Sequence, residues 1–482
     1  MRDFFHQAVN EEPSLTEGDS EKKAALFSRR NLLKLTASAG VLTGLGGCGI
    51  FETGDKKPEV IGRRFDVLST GAGLRVAHHE HSSIVTLPPI EDVTEWSMDG
   101  RTPSHEAVNA RWNVVTKPGW SRSIGAEVDP ANFLSLVLFF PNNRGALQSP
   151  PVIGGGRLFV ADAQGAIRAF SWPKRQFLWK RQPAKHTRST NLGGGVALVG
   201  DTLYVVDGVA QAMALDAATG HIKWSISTVT PGRSAPVVQD GLMIFTTIDQ
   251  RLYALDAQTG HQVWTYQATD VNTGLFGAAT PAFVDGIVLA GFGSGELVAL
   301  RATSGELVWS DSLGGGNGRG GTLDFACIRG APVIKDGTAY AVSMSQVLVA
   351  IDVRSGRRLW EREVSGQNPL CVCGDWLFVL SLDQQLACLD RISGRVRWIQ
   401  QLRRFQHQKK QKGQIEWVGP LLVSNKLVCF SSLPKEGMVI VDALTGEIEQ
   451  IRNIPASCQV QPIVCNGSVL TLSQDGVLRA YG

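Results

Sequence analysis

From residue 148 to the C-terminus, short apolar runs alternate with turns built on Gly, Asp, Asn and Ser. The stretch 234–264 shows the pattern. Val237-Val238 reads as a strand, Asp240-Gly241 as a hairpin turn and Leu242 to Thr246 as a second strand. Asp249-Gln250 gives the next turn, Leu252 to Leu255 a third strand and Thr259-Gly260 a third turn, after which Val263-Trp264 opens a fourth strand. Four antiparallel strands in about forty to forty-five residues make one blade of a β-propeller.

A phrase of Asp, then Ser/Thr-Gly, then Trp punctuates these units. It reads Asp216…Thr219-Gly220…Trp224, Asp256…Thr259-Gly260…Trp264, Asp352…Ser355-Gly356…Trp360 and Asp390…Ser393-Gly394…Trp398. Recurrence at a fixed spacing marks a repeat architecture. Glycine supplies the positive φ of the turn into the outer strand, and the Asp carboxylate can accept the turn's amides. The Trp is large enough to fill the wedge between neighbouring blades. These are structural duties, and none of them is catalytic.

Counting phrases predicts an all-β fold, an eight-bladed β-propeller of four-stranded antiparallel blades. Blade 1 ends at Trp179 with a degraded phrase, blades 2 and 3 at Trp224 and Trp264, and blade 4 at Trp309 with Arg301 in the Asp position. Blades 5 and 6 end at Trp360 and Trp398, and blade 7 has Gln450 where Trp is expected. Residues 461–482 supply three further strands without an outer one. The outer strand around Trp120, which stands ahead of blade 1, is expected to close that last blade and remove an exposed sheet edge.

Composition narrows the partners. The chain has 482 residues, a formal net charge of +3, 53 Gly and 12 Trp. No basic stripe of the kind that binds nucleic acid is present, and no run of about eighteen uncharged apolar residues that would span a membrane. The first residues read as an address. Ser28-Arg29-Arg30-Asn31-Leu32-Leu33-Lys34 resembles a twin-arginine export signal, with Leu32 where Phe is commoner. A modest apolar stretch follows and ends Leu45-Gly46-Gly47-Cys48, which resembles a lipoprotein signal whose Cys48 thiol takes the lipid. The alternative, a short core helix with an incidental cysteine, leaves the order of charged start, apolar middle and small-residue exit unexplained. The expected organisation is 1–47 export and lipoprotein signal, 48–90 lipid tether and linker, 91–118 lead-in segment and 119–482 propeller.

Other motifs favour bland readings. His78-His79-Glu80-His81 lies in the linker, where imidazoles this close in sequence rarely converge on one metal ion. Residues 314–321 contain a literal G-x-G-x-x-G, but a strand rather than a helix is expected after it, so it reads as an inter-blade loop. The basic run Arg403 to Lys412 reads as a solvated hairpin tip, the alternative being an acidic partner or anionic head groups. Beyond Cys48, seven cysteines remain, most on predicted strands where a thiol behaves as a small apolar residue. Spacing does not say whether oxidation pairs any of them. No catalytic residue and no metal site is expected.

The repeated phrase resembles that of the pyrroloquinoline-quinone-like propellers, over residues 120–482. Two families share it: quinoprotein alcohol dehydrogenases, and the BamB family, lipoprotein subunits of the outer-membrane β-barrel assembly machinery. The dehydrogenases carry an adjacent cysteine pair and long insertions that build a calcium and quinone funnel. This chain has no Cys-Cys dipeptide, and Cys48 fits a membrane-tethered scaffold. Resemblance to the BamB family implies a non-enzymatic scaffold without a cofactor, lipid-anchored on the periplasmic face of the outer membrane. Its implied partners are the central barrel-assembly protein and unfolded outer-membrane proteins. The implied contacts are Leu275 and Phe276 in one inter-blade loop and Cys327 and Arg329 in the next. Phe276 stands where enterobacterial members have a basic residue, and Cys327 and Arg329 where they have acidic ones. The alternatives are a quinone-dependent dehydrogenase and a periplasmic scaffold for some other membrane complex.

Overall fold

The computed structural model describes residues 74–76, 84–124, 149–161, 165–182, 193–271, 278–314 and 326–482. All of them fall in one compact unit, Thr70–Gly482. Arg29, Arg30 and Cys48, with the rest of the expected signal and anchor, lie outside the described residues, as do His78, His79 and His81.

Eight four-stranded antiparallel sheets form the blades, as the phrase count predicts. Seven are continuous in sequence, at 152–181, 194–227, 237–267, 282–312, 333–362, 371–401 and 417–452. Blade 8 combines Ile463–Cys465, Ser468–Leu472 and Val477–Tyr481 with the N-terminal strand Trp120–Ser123, in the register Trp120↔Ala480 and Ser123↔Val477. The sheets form because their middle strands are apolar on both faces. Leu252 to Leu255, for example, are all buried, one face against each neighbouring blade.

The phrase does what was expected and more. Asp216 Oδ1 accepts the amides of Ala218 (3.1 Å) and Thr219 (2.8 Å) and the Thr219 hydroxyl (2.7 Å). The Thr219 hydroxyl and amide bonds hold this carboxyl below its usual range. Gly220 adopts φ 73°. It also makes room for the preceding blade, since a Cβ there would lie 2.7 Å from the Trp179 ring. The Trp179 indole donates to Ala217 O at 3.1 Å in the same turn. The pairing recurs around the ring: Trp224 on Gly260, Trp264 on Gly305, Trp309 on Gly356, Trp360 on Gly394 and Trp398 on Gly446. Each phrase glycine therefore serves the turn and the neighbour's indole together.

Both departures from the phrase follow from this geometry. Blade 8 has no covalent turn into its outer strand, so a Trp at the end of blade 7 would have no glycine to seat on. Gln450 occupies that register position, opposite Ile440. Blade 1 lacks the Thr-Gly turn, and there Arg175 lies 4.9 Å from the centroid of Trp120 and 5.5 Å from that of Trp172. A cation over the ring replaces the glycine contact.

The lead-in is no loose approach to the ring. It forms a strap that passes around the inner wall and meets the innermost strands in circular order. Trp96 exchanges backbone bonds with Ile153 of blade 1 (2.7 and 2.8 Å), and Ser97 O accepts from Leu198 of blade 2 (2.7 Å). Pro103 O meets Phe283 of blade 4 (2.8 Å), Ser104 O meets Ile334 of blade 5 (3.0 Å), and the Ala107 amide reaches Val372 O of blade 6 (3.0 Å). Ala110 O then accepts from Ser424 of blade 7 (2.8 Å), and the Asn113 amide reaches Gly467 O of blade 8 (3.1 Å). The strap thereby satisfies inner-edge groups that would otherwise stay open. Asn109, fully buried, pins it. Its Nδ2 donates to Pro88 O (3.0 Å) and Asn425 Oδ1 (2.7 Å), and its Oδ1 accepts the Asn425 amide (2.9 Å). Residues 84–90, placed by composition at the end of the tether, pack on blade 6: Val85 is buried, and the Trp376 indole donates to Thr86 O at 3.0 Å.

Candidate functional site

The chain path gives the ring two unlike faces. The turns from first to second strand and from third to outer strand lie on one face, with the strap at its inner edge. The connections between blades, and the turns from second to third strand, lie on the other. Inter-blade connections carry irregular backbone and the side chains that vary from blade to blade, so the second face is the candidate docking surface.

Two of the four sequence-predicted contacts lie among the described residues. Arg329, in the connection from blade 4 to blade 5, is exposed and donates to Gln367 Oε1 (3.1 Å) in the next connection. Gly330 behind it is close-packed, since a Cβ would lie 2.3 Å from Asn368 O. Arg329 thus stands on a seam between two neighbouring connections. Cys327 does not reach the surface. It is buried beside Ile328, and burial pushes its thiol up to about 11. A small apolar side chain in this position completes the core, which is why the loop contact expected of Cys327 is not formed by its side chain. Leu275 and Phe276 lie outside the described residues, and so does most of the 314–321 glycine run.

All seven cysteines beyond Cys48 are buried and unpaired. Burial pushes Cys373, Cys458 and Cys465 up to about 12, and raises Cys371, Cys388 and Cys429 well above the usual thiol range. Thiolate is the reactive form, so these thiols are inert in the fold. In a Cys48→Ser protein, an aromatic disulfide reagent at pH 8 is expected to titrate none of the seven natively and all of them in denaturant. Fast native reaction of any thiol would contradict its burial. Because their folded-state values are raised from 9.0, the thiols leave stability unchanged below pH 9 and lower it as pH climbs toward 12.

Inside the strap lies a cavity of about 60 Å³, bounded by Trp96, Arg101, His105, Cys371, Pro420 and Gln461. Trp96 Nε1, Arg101 Nε, His105 Nε2 and Gln461 Oε1 are buried at its wall without a protein partner. His105 Nδ1 lies 2.8 Å from Pro332 O, so Nδ1 carries the proton and Nε2 is the free acceptor of the neutral ring. Burial lowers its pKa, against opposing effects of Asp99 and the Pro332 carbonyl. Donors and acceptors around so small a volume suit ordered water. Among the described residues, no three His, Cys, Asp or Glu side chains converge as a metal site.

The basic run from Arg403 forms a hairpin, Phe405–His407 paired with Lys412–Gln414, with its tip in solvent as predicted. The strap and the groove beneath this hairpin were not predicted. Trp96, Asn109 and Trp112, unusually apolar or turn-forming residues for a linker, were the available signal for the strap.

Comparison with known proteins adds the following. The family model described as "Outer membrane protein assembly factor BamB" matches residues 163–400. A protein named outer membrane protein assembly factor BamB, from Moranella endobia, is 26% identical over 290 residues, covering 58% of this chain and 71% of the relative. Among solved structures, BamB from Moraxella catarrhalis superposes with a TM-score of 0.61 at 20% identity, covering 76% of this chain and 98% of that one. The quinohemoprotein alcohol dehydrogenase of Comamonas testosteroni gives a TM-score of 0.57 at 13% identity, covering 78% of this chain and 76% of that one. These structural likenesses establish the shared propeller fold.

Proposed function

This chain belongs to the family of the outer membrane protein assembly factor BamB, and on that premise we propose that it is a non-enzymatic scaffold of outer-membrane protein assembly. It is anchored through lipid on Cys48 at the periplasmic face of the outer membrane. It binds the central barrel-assembly protein with the inter-blade connections around Leu275, Phe276 and Arg329. Exposed outer strands can add an extended segment of an unfolded client by strand pairing.

The observation that carries this reading is the family match over residues 163–400, from blade 1 to blade 6, a span that includes the connections in question. The sequence supports it further, since it lacks the adjacent cysteine pair of the quinoprotein pattern. The strap supports it too, because it fills the inner wall with the chain's own residues.

The test is affinity capture from detergent-solubilised envelope with the mature, lipidated protein. The barrel-assembly protein should be recovered. Arg329→Glu should weaken recovery about tenfold, as expected when a charge at an interface is reversed. Unchanged recovery would move the contact elsewhere on the ring, and absence of the partner would sink the proposal. The fold shared with a quinohemoprotein dehydrogenase keeps one competing reading. Dye-linked alcohol oxidation after addition of quinone and calcium would establish that one instead.

A further inference from the structure

Among the described connections between blades, the one from blade 6 to blade 7 carries a hairpin of its own. Its base is fixed by several bonds. The Trp417 indole donates to Arg403 O (2.9 Å), and the Arg403 guanidinium pairs with Glu436 and donates to Gln406 O (2.7 Å). Arg404 Nη2 bonds Asp383 Oδ1 (2.7 Å), and the Ile415 amide donates to Arg404 O (2.8 Å). The tip turns through Gln408–Lys410 and Gln411, at φ 47°. Arg403 and Arg404 have carboxylate partners. Among the described residues, Lys409, Lys410 and Lys412 have none within 4.0 Å, and all three are exposed.

Beneath this arm lies an open groove of about 1110 Å³. Its floor is apolar: Phe405 and Trp417 come from the arm and its base, Val439, Ile448 and Ile451 from blade 7. Ile451 is 46% exposed. The residues at the same register in blades 2 to 5 are Ser225, Thr265, Ser310 and Glu361, as exposure to solvent would favour, and blade 6 has Ile399, which is only partly exposed. Here an isoleucine faces water, at the position that a cationic arm overhangs.

We propose that this groove binds an extended segment of a partner protein in which apolar residues alternate with carboxylates. The floor takes the apolar side chains, and the uncompensated ammonium groups of Lys409, Lys410 and Lys412 meet the carboxylates. The hairpin has only two strands; Arg403 already bonds Phe405 O (3.1 Å) and Gln406 O on one of them, so the outer edge of Lys412–Gln414 is the one to which an extended backbone can add. An anionic membrane is a poorer occupant. A planar surface reaches the lysine tips but not Ile451, which lies in the wedge between two blades. This surface is separate from the one proposed above around Arg329, and neither depends on the other.

The test uses the mature protein and a fluorescein-labelled peptide, Glu-Val-Glu-Val-Glu-Val-Glu, read by anisotropy. The Lys-for-Glu peptide and vesicles of phosphatidylcholine with phosphatidylglycerol serve as comparisons. The acidic peptide should bind, and more weakly as salt rises. Combined Lys409→Glu, Lys410→Glu and Lys412→Glu should weaken it about tenfold. Ile451→Ser alone should also weaken it about tenfold, because serine leaves the peptide's valines less apolar surface to cover. Unchanged circular dichroism melts establish that these surface variants fold. Three results overturn the proposal: no binding of the acidic peptide, binding indifferent to Ile451→Ser, or lysine-dependent binding to vesicles without peptide binding.

Discussion

A chain that begins at Gly119 will lose most of its stability, whereas one that begins at Ile84 will keep it to within about 1 kcal/mol. The shorter chain retains the closing strand Trp120–Ser123 but not the strap. It exposes the inner wall against which Val85, Val93, Trp96, Met98 and Trp112 are buried. Each such side chain contributes about 1.5–3 kcal/mol on burial. Their sum is comparable with the total stability of an ordinary folded domain, about 5–15 kcal/mol. The inner edges of seven blades would also lose backbone partners in the strap. Chemical denaturation followed by tryptophan fluorescence measures the difference. If the two chains unfold at the same denaturant concentration, the strap is an ornament and the ring stands alone.

Trp112→Ala tests the same element at one residue, and a loss of about 3–5 kcal/mol is expected. Trp112 is only 3% exposed, and its indole donates to Tyr481 O at 2.8 Å. Its amide donates to the Ser424 hydroxyl oxygen at 2.9 Å, and that hydroxyl donates back to Trp112 O at 3.2 Å. Alanine keeps the backbone pair but leaves a cavity between blades 7 and 8 and removes the indole bond to Tyr481 O. Val115→Ala, three residues on and 39% exposed, should change stability by less than about 0.5 kcal/mol. Equal effects of the two substitutions would show that burial at Trp112 is unimportant.

The repeat is legible in the sequence because its residues act locally. Asp216, Thr219 and Gly220 form one turn, and a turn leaves its signature in consecutive residues. The partner of Trp120 is legible from a count of strands, since a blade short of its outer strand needs one from elsewhere. The second duty of Gly220, as the seat of Trp179, is not, because it joins residues of different blades. The strap is hidden for a similar reason. Its bonds are scattered singly or in small groups over seven different blades, so residues 91–118 carry no period of their own. The candidate site is half legible. Arg329 is at the surface, but whether Cys327 in the same loop faces solvent or core depends on packing that spacing does not encode. The basic arm can be read as a hairpin from its residues alone. Its groove cannot, because Ile448 and Ile451 arrive from the far side of blade 7.

The strap also constrains the order in which the molecule can assemble. Trp112 meets Tyr481 across 369 residues, Asn109 meets Asn425 across 316, and His105 meets Pro332 across 227. Closing such long loops costs little more free energy than closing shorter ones, about 0.6 kcal/mol for each doubling of length. The cost in time is larger, because folding slows as contacts become more distant in sequence. Residues near the start must wait for residues near the end, so the strap's last contacts, with blades 7 and 8, form only once Tyr481 is in place. Completion of the ring is therefore a late, concerted step, and a chain held short of it is the species most exposed to pairing with its neighbours.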